Sequence, residues 1–162
     1  MKTVYLALGS NLGDRKARLR QALEKLDTPD LRLIRSSSLY ETAPMGLTDQ
    51  PWFLNQVAEF ETSLLPLRLL HRIHRIENEL GRVRTVVNGP RTVDIDIVFY
   101  GNTIMRTAEL EIPHPRYRER RFVLEPLAEL NPALRDPATG GSISSLLDAV
   151  RSQTVRRLNE NS

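Results

Sequence analysis

The chain has 162 residues, of which 40% are hydrophobic and 27% charged, with a formal net charge of +3 and no cysteine. The missing thiols exclude disulfides, thiolate metal sites and a cysteine nucleophile, and no apolar run approaches the roughly 20 residues needed to cross a bilayer. The length suits one domain, spanning residues 1–162, large enough to bury a real core in the cytoplasm, the location expected for it.

In chain order, residues 3–8 read as a first strand rather than a leader. Gly9-Ser-Asn-Leu-Gly13 then turns into a helix over 14–26, where Leu19, Ala22, Leu23 and Leu26 follow helical spacing. Thr28-Pro29-Asp30 ends it. A second strand is expected over 31–41, then a turn-rich link, then a third strand over 53–62 with Leu54, Ala58 and Phe60 on one face and Phe53, Asn55 and Val57 on the other. The long link makes these two strands antiparallel partners with a functional loop between them.

Ser63 is the expected cap of the next helix, with Pro66 in its first turn and Gly81 at its end. Leu69, Ile73, Ile76 and Leu80 form its apolar stripe, and Glu77 falls at the edge of that stripe, where a carboxylate requires a partner: an arginine or a ligand. A fourth strand follows over 92–99. The order β-α-β-β-α-β is that of a ferredoxin-like sheet within an α+β fold. A hairpin around Gly101-Asn102, a helix over 122–130 and a last helix carrying Ile143, Leu146, Leu147 and Val150 would cover the second sheet face as an α/β/α layering. They would leave a cleft lined by Phe53, Asn55, Asp94 and Asp96.

Most of the chemistry is concentrated in Gly89-Pro-Arg-Thr-Val-Asp-Ile-Asp-Ile-Val-Phe-Tyr-Gly101. On a strand, Asp94 and Asp96 share one face, about 6 to 7 Å apart at Cα, while Ile95, Ile97 and Phe99 share the other. Such a carboxylate pair suits divalent cations. Arginines at 82, 84, 91, 116, 118, 120 and 121 suit phosphate oxygens, and the acids interleaved with them fit a polyphosphate site better than a nucleic-acid stripe. Other motifs are weaker. Gly9 to Gly13 with Lys16 lacks the Gly-Lys-Ser/Thr ending of a phosphate loop. His71, His74 and Glu77 fan over a helix edge without the spacing of a zinc site. Pro113 and Pro115 stiffen the backbone around His114, which is placed either to donate to a phosphate or to close a turn. Phe53 and Phe122, with Asn55, could sandwich a flat heterocycle or could be core.

Taken together, Leu8-Gly-Ser-Asn-Leu12, Tyr40-Glu-Thr42 with Pro44, Phe53-Leu-Asn55, Ile76-Glu77, Gly81-Arg-Val-Arg84, Gly89-Pro-Arg-Thr-Val-Asp-Ile-Asp-Ile97 and Ile112-Pro-His114 closely resemble the 6-hydroxymethyl-7,8-dihydropterin pyrophosphokinases of folate biosynthesis. The resemblance implies transfer of diphosphate from ATP to the pterin hydroxymethyl group, with release of AMP. It implies two Mg²⁺ ions on Asp94 and Asp96, and a pterin site of Thr42, Pro44, Phe53, Asn55 and Phe122. ATP contacts would come from Glu77, Arg84, Ile97, His114 and Arg120, with Arg82 and Arg91 assisting transfer. Its implied partners are ATP and 6-hydroxymethyl-7,8-dihydropterin; the chain is expected to be a monomer, with neither nucleic acid nor membrane as partner. The chain departs from the family pattern at Ala43, at the short Thr85-Val-Val-Asn88 loop, at Glu109 and at Pro115, so an altered nucleotide contact set is expected. The alternative is a ferredoxin-like module that binds nucleotide or RNA without catalysis.

Overall fold

The computed structural model describes residues 1–43, 51–81 and 92–158, and all elements and contacts are those of these described residues. In chain order the elements are β1 (Lys2–Ser10), α1 (Arg15–Leu26), β2 (Leu31–Ser36), β3 (Tyr40–Thr42), β4 (Phe53–Thr62), α2 (Pro66–Glu79), β5 (Asp94–Tyr100), β6 (Met105–Arg106), β7 (Glu111–Ile112), α3 (Arg121–Leu130), α4 (Ile143–Asp148) and β8 (Val155–Arg157). A 3₁₀ turn at Tyr117–Glu119 precedes α3. No described helix is long and apolar enough to cross a membrane.

The main sheet is antiparallel, in the order β5-β1-β4-β3-β8, with β2 also paired to β4. Alternation along β1 sends Val4, Leu6 and Leu8 to one core, with Leu19, Ala22 and Leu26 of α1 and Leu69, Ile73 and Ile76 of α2. Tyr5 meets the other core, which includes Val123, Leu124 and Leu127 of α3 and Ile143 and Leu147 of α4. Each fully buried Leu, Ile or Phe contributes about 1.5–3 kcal/mol, so the two faces hold the sheet between four helices.

The expected third strand has its expected bounds, and α1 starts where Asp14 accepts from the Ala17 amide at 3.1 Å. Several expectations need correction. The second strand is two strands, because the Ser37 hydroxyl accepts the Val57 amide at 3.0 Å and the Gln56 side chain takes the Ser37 carbonyl at 2.9 Å, which interrupts the ladder. Glu129 of α3 then binds the Ser38 amide at 2.9 Å and the Tyr40 hydroxyl at 2.6 Å, setting β3 and hence Thr42. The cap of α2 is Leu65, not Ser63, with Pro66 in the first turn and Gly81 beyond the end at φ +80°. The short hairpin is β6 with β7, one turn later than Gly101-Asn102. The last helix ends at Asp148, before Val150, and β8 was not anticipated.

Phe99 also lies on the opposite face from Ile95 and Ile97. In the β1–β5 ladder Leu6 faces Ile97 and Tyr5 faces Phe99, leaving Val98 as an extra residue. This bulge resets the alternation. Phe99 therefore joins Tyr5 and Tyr117 in the second core, with its ring edge-on to Tyr117 at 5.0 Å.

Candidate active site

Two small residues of β1, which lies between β4 and β5, make the floor of a cleft of about 350 Å³. Gly9 stands between Asn55 of β4 and Asp94 of β5, and Ala7 between Val57 and Asp96. A Cβ on Gly9 would meet Asn55 Oδ1 at 3.1 Å and the Phe53 ring at 3.8 Å, so glycine at this position gives those side chains room. Phe53 and Asn55 form one wall, with Thr42 beside them. Arg120, Phe122 and Val123, where α3 begins, form the opposite wall. The Arg120 guanidinium lies over the Phe122 ring, 5.5 Å from its centroid.

A second cleft, of about 420 Å³, opens beside the first. Glu77 and Ile97 line it, with Leu70 and His74 of α2 and the 107–111 turn between β6 and β7. Asp94, Asp96 and His114 belong to both clefts. The two aspartates are therefore the partition between an aromatic-walled space and a more polar one.

His114 is held at this junction. Its amide donates to the Val98 carbonyl at 3.1 Å, so the bulge residue positions it. Its Nδ1 accepts from the Arg116 amide at 3.1 Å, which assigns the proton of the neutral ring to Nε2. Nε2 lies 3.9 Å from Asp96 Oδ2. Burial, reinforced by Arg120, pushes its pKa down to about 4, so near neutral pH the ring presents one N–H toward the partition.

Glu77 is 1% exposed. The partner that the structure supplies for its Oε2 is the amide of Ile95, at 2.9 Å, the residue between the two aspartates. A helix carboxylate thereby fixes the strand segment that carries the partition.

The structure thus brings together Thr42, Phe53, Asn55, Asp94, Asp96, His114, Arg120 and Phe122 in the first cleft, and Glu77, Ile97 and the shared residues in the second. Arg120, grouped with ATP by resemblance, lines the first cleft beside Phe122. Pro44, Arg82, Arg84 and Arg91, with the 84–89 loop, lie outside the described residues. His71 and His74 are exposed, as the helix-edge reading expects, although His74 borders the second cleft. Glu109 also borders it, 3.8 Å from His71 Nε2. In the sequence Gly9 reads as a turn residue and Ala7 carries no functional mark; their only signal is small size on a strand that is paired on both sides.

Among the described residues no group of three or more His, Cys, Asp or Glu is placed to hold a metal. Two neighbouring carboxylates nonetheless fit Mg²⁺, an oxygen-seeking ion that keeps several waters and is bound through one or two carboxylates together with substrate phosphates.

A family model described as 7,8-dihydro-6-hydroxymethylpterin-pyrophosphokinase (HPPK) matches residues 5–132. The chain is 42% identical over 159 residues to the 2-amino-4-hydroxy-6-hydroxymethyldihydropteridine pyrophosphokinase of Pseudomonas aeruginosa, covering 98% of each. It is 44% identical over 155 residues to the folic acid synthesis protein fol1 of Pneumocystis carinii, spanning 96% of this chain but only 21% of that protein. The crystal structure of wild-type Plasmodium falciparum HPPK-DHPS with pteroate superposes with a TM-score of 0.73 at 17% identity, over 93% of this chain and 42% of that one, a likeness of fold.

Proposed function

This chain belongs to the 7,8-dihydro-6-hydroxymethylpterin-pyrophosphokinase family, and we propose that it transfers diphosphate from ATP to the hydroxymethyl group of 6-hydroxymethyl-7,8-dihydropterin, releasing AMP, in folate biosynthesis. The observation that carries this reading is the partition: an aromatic-walled cleft and a polar one share Asp94, Asp96 and His114.

Phe53 and Phe122 sandwich the pterin ring, with Thr42 and Asn55 hydrogen-bonding its edge. ATP occupies the second cleft beside Glu77 and Ile97, its phosphates reaching the partition. The alcohol oxygen attacks the β-phosphorus, the bond from that phosphorus to the α,β-bridging oxygen breaks, AMP leaves with that oxygen, and the alcohol proton passes to water. Asp94 and Asp96 would hold the two Mg²⁺ ions, which when bound supply neutralisation of the polyphosphate and a lowered alcohol pKa. His114 donates a hydrogen bond from its Nε2–H to a phosphate oxygen, and Arg120 adds positive charge. Arg82, Arg84 and Arg91, outside the described residues, complete the cationic set. Positioning and preorganised charge, rather than a strong protein base, lower the barrier.

The strand order β5-β1-β4-β2 with α1 and α2 packed on one face supports a ferredoxin-like reading of residues 1–162 as one domain. We read it as a cytoplasmic monomer. Incubation with ATP, Mg²⁺ and the reduced pterin should form AMP with a one-to-one loss of ATP. ADP as product, or nucleotide binding without AMP, would instead favour a different phosphotransfer or the non-catalytic module.

A further inference from the structure

Arg120 is the single residue between the 3₁₀ turn and α3, with an extended backbone at φ −120° and ψ 102°. It occupies the N-cap of α3 without a side-chain capping bond. A guanidinium has only donors, and a helix N-terminus requires an acceptor. That acceptor arrives from far along the chain: Gln153 Oε1 takes the Arg121 amide at 2.9 Å, and its Nε2 donates to the Glu119 carbonyl at 2.6 Å. One side-chain amide thus grips the residues on both sides of Arg120. The Arg121 guanidinium returns the grip, donating to the carbonyls of Arg151 and Gln153 at 2.9 and 2.8 Å.

The next residue reaches the other wall of the cleft. The Thr154 carbonyl accepts from Thr42 Oγ1 at 3.2 Å, and β8 continues from there in register with β3, Val155 opposite Thr42. Residues 153–155 therefore tie the Arg120–Phe122 wall to the Thr42 wall, outside the described cleft lining itself.

We infer that Gln153 is a positioning residue: by bridging the Glu119 carbonyl and the Arg121 amide it sets the backbone of Arg120, and so the placement of the Arg120 guanidinium and the Phe122 ring across the cleft from Thr42. Its kinetic test rests on the proposed function. Its structural test does not.

Two variants separate the bonds. Gln153→Met keeps the length and loses both bonds, whereas Gln153→Glu keeps the acceptor for Arg121 and loses the donor to Glu119. The expected result for Gln153→Met is a rise of about tenfold in KM for the pterin and for ATP, the scale of one or two lost hydrogen bonds, with kcat changed less. Gln153→Glu should recover part of that loss. In NMR spectra of the ligand-free protein, the Arg120 and Phe122 side-chain signals should move in Gln153→Met while those of Leu19, in the other core, stay in place. Wild-type KM values with unmoved Arg120 and Phe122 signals would overturn the inference, as would a fall in melting temperature with both KM values and both signals unchanged. Failure of the unsubstituted protein to form AMP would overturn the proposed function alone, since the NMR comparison still decides the role of Gln153.

Discussion

Gly9 and Asn55 face each other across β1 and β4 so closely that a methyl group on Gly9 would lie 3.1 Å from the Asn55 side-chain oxygen. The contact is with a side chain, and the Gly9 backbone does not require a left-handed conformation, so the constraint concerns space in the cleft. Gly9→Ala should therefore leave the protein folded, with a melting temperature unchanged or slightly raised as the unfolded chain loses freedom. The displaced amide should raise KM for the pterin by about tenfold, the scale of a compromised hydrogen bond, while KM for ATP changes less. Steady-state kinetics with each substrate varied in turn checks this, and a pterin KM equal to wild type would remove Asn55 from the pterin contacts.

Asp94 and Asp96 lie on the cleft face of β5, and neither side chain belongs to either hydrophobic core. Asp94→Ala and Asp96→Ala should each lower AMP formation by at least about a hundredfold, the scale of losing one preorganised electrostatic group. Thermal unfolding should stay cooperative. Magnesium titrations of turnover would check the assignment, and near-normal rates in either variant would relocate the metals.

Glu77 joins α2 to the strand segment between those aspartates through the Ile95 amide. Glu77→Ala leaves that buried amide without its acceptor, at a cost of about 1–3 kcal/mol in denaturant unfolding. Glu77→Gln keeps an oxygen in reach and should lose less. If Glu77→Ala unfolded at the wild-type denaturant midpoint, the bond would be contributing nothing to the fold.

Asp136 connects the 3₁₀ turn to the 136–141 loop. It accepts from the Tyr117 hydroxyl, from Arg118 Nε at 2.6 Å and from the amides of Ala138 and Thr139 at 2.7 and 3.2 Å. Burial alone would raise its pKa, but these donors together hold it below the ordinary carboxylate value. The unfolded chain thus takes up the proton first: the contribution to stability is whole above about pH 4, the ordinary carboxylate range, and is lost as pH falls through the lower folded-state value. Melting temperature followed from pH 7 to pH 2 should fall less steeply in Asp136→Asn than in wild type over the acid end. Parallel curves would show that other carboxylates set the acid limit.

The parts of this architecture legible in the sequence were those that repeat. The bounds of β4, the apolar stripe of α2 and the shared face of Asp94 and Asp96 all follow from periodicity, and the cleft assembled from Phe53, Asn55, Asp94 and Asp96 followed from them. What stayed hidden depends on single, non-periodic bonds. The break between β2 and β3 comes from a serine hydroxyl and a glutamine amide that displace ladder hydrogen bonds. The short β8 is recruited by β3 across more than a hundred residues and carries no alternating pattern of its own. The roles of Gly9 and Ala7 became visible only when β1 proved to be flanked on both sides, since smallness means little until the neighbours are known.

The extra residue at Val98 gives β5 two phases. Before it, the strand is in phase with the cleft, presenting Asp94 and Asp96; after it, the strand is in phase with the packing of Phe99 against Tyr117. Because the Val98 carbonyl also receives the His114 amide, the point of the phase change is where the histidine is anchored. A one-residue deletion there would leave Asp94, Asp96 and Phe99 in plain alternation on one face, so what it would remove is the carbonyl that holds His114 beside the carboxylates. The bond is to backbone, so the presence of an extra residue between Ile97 and Phe99 matters more for His114 than which side chain stands at 98.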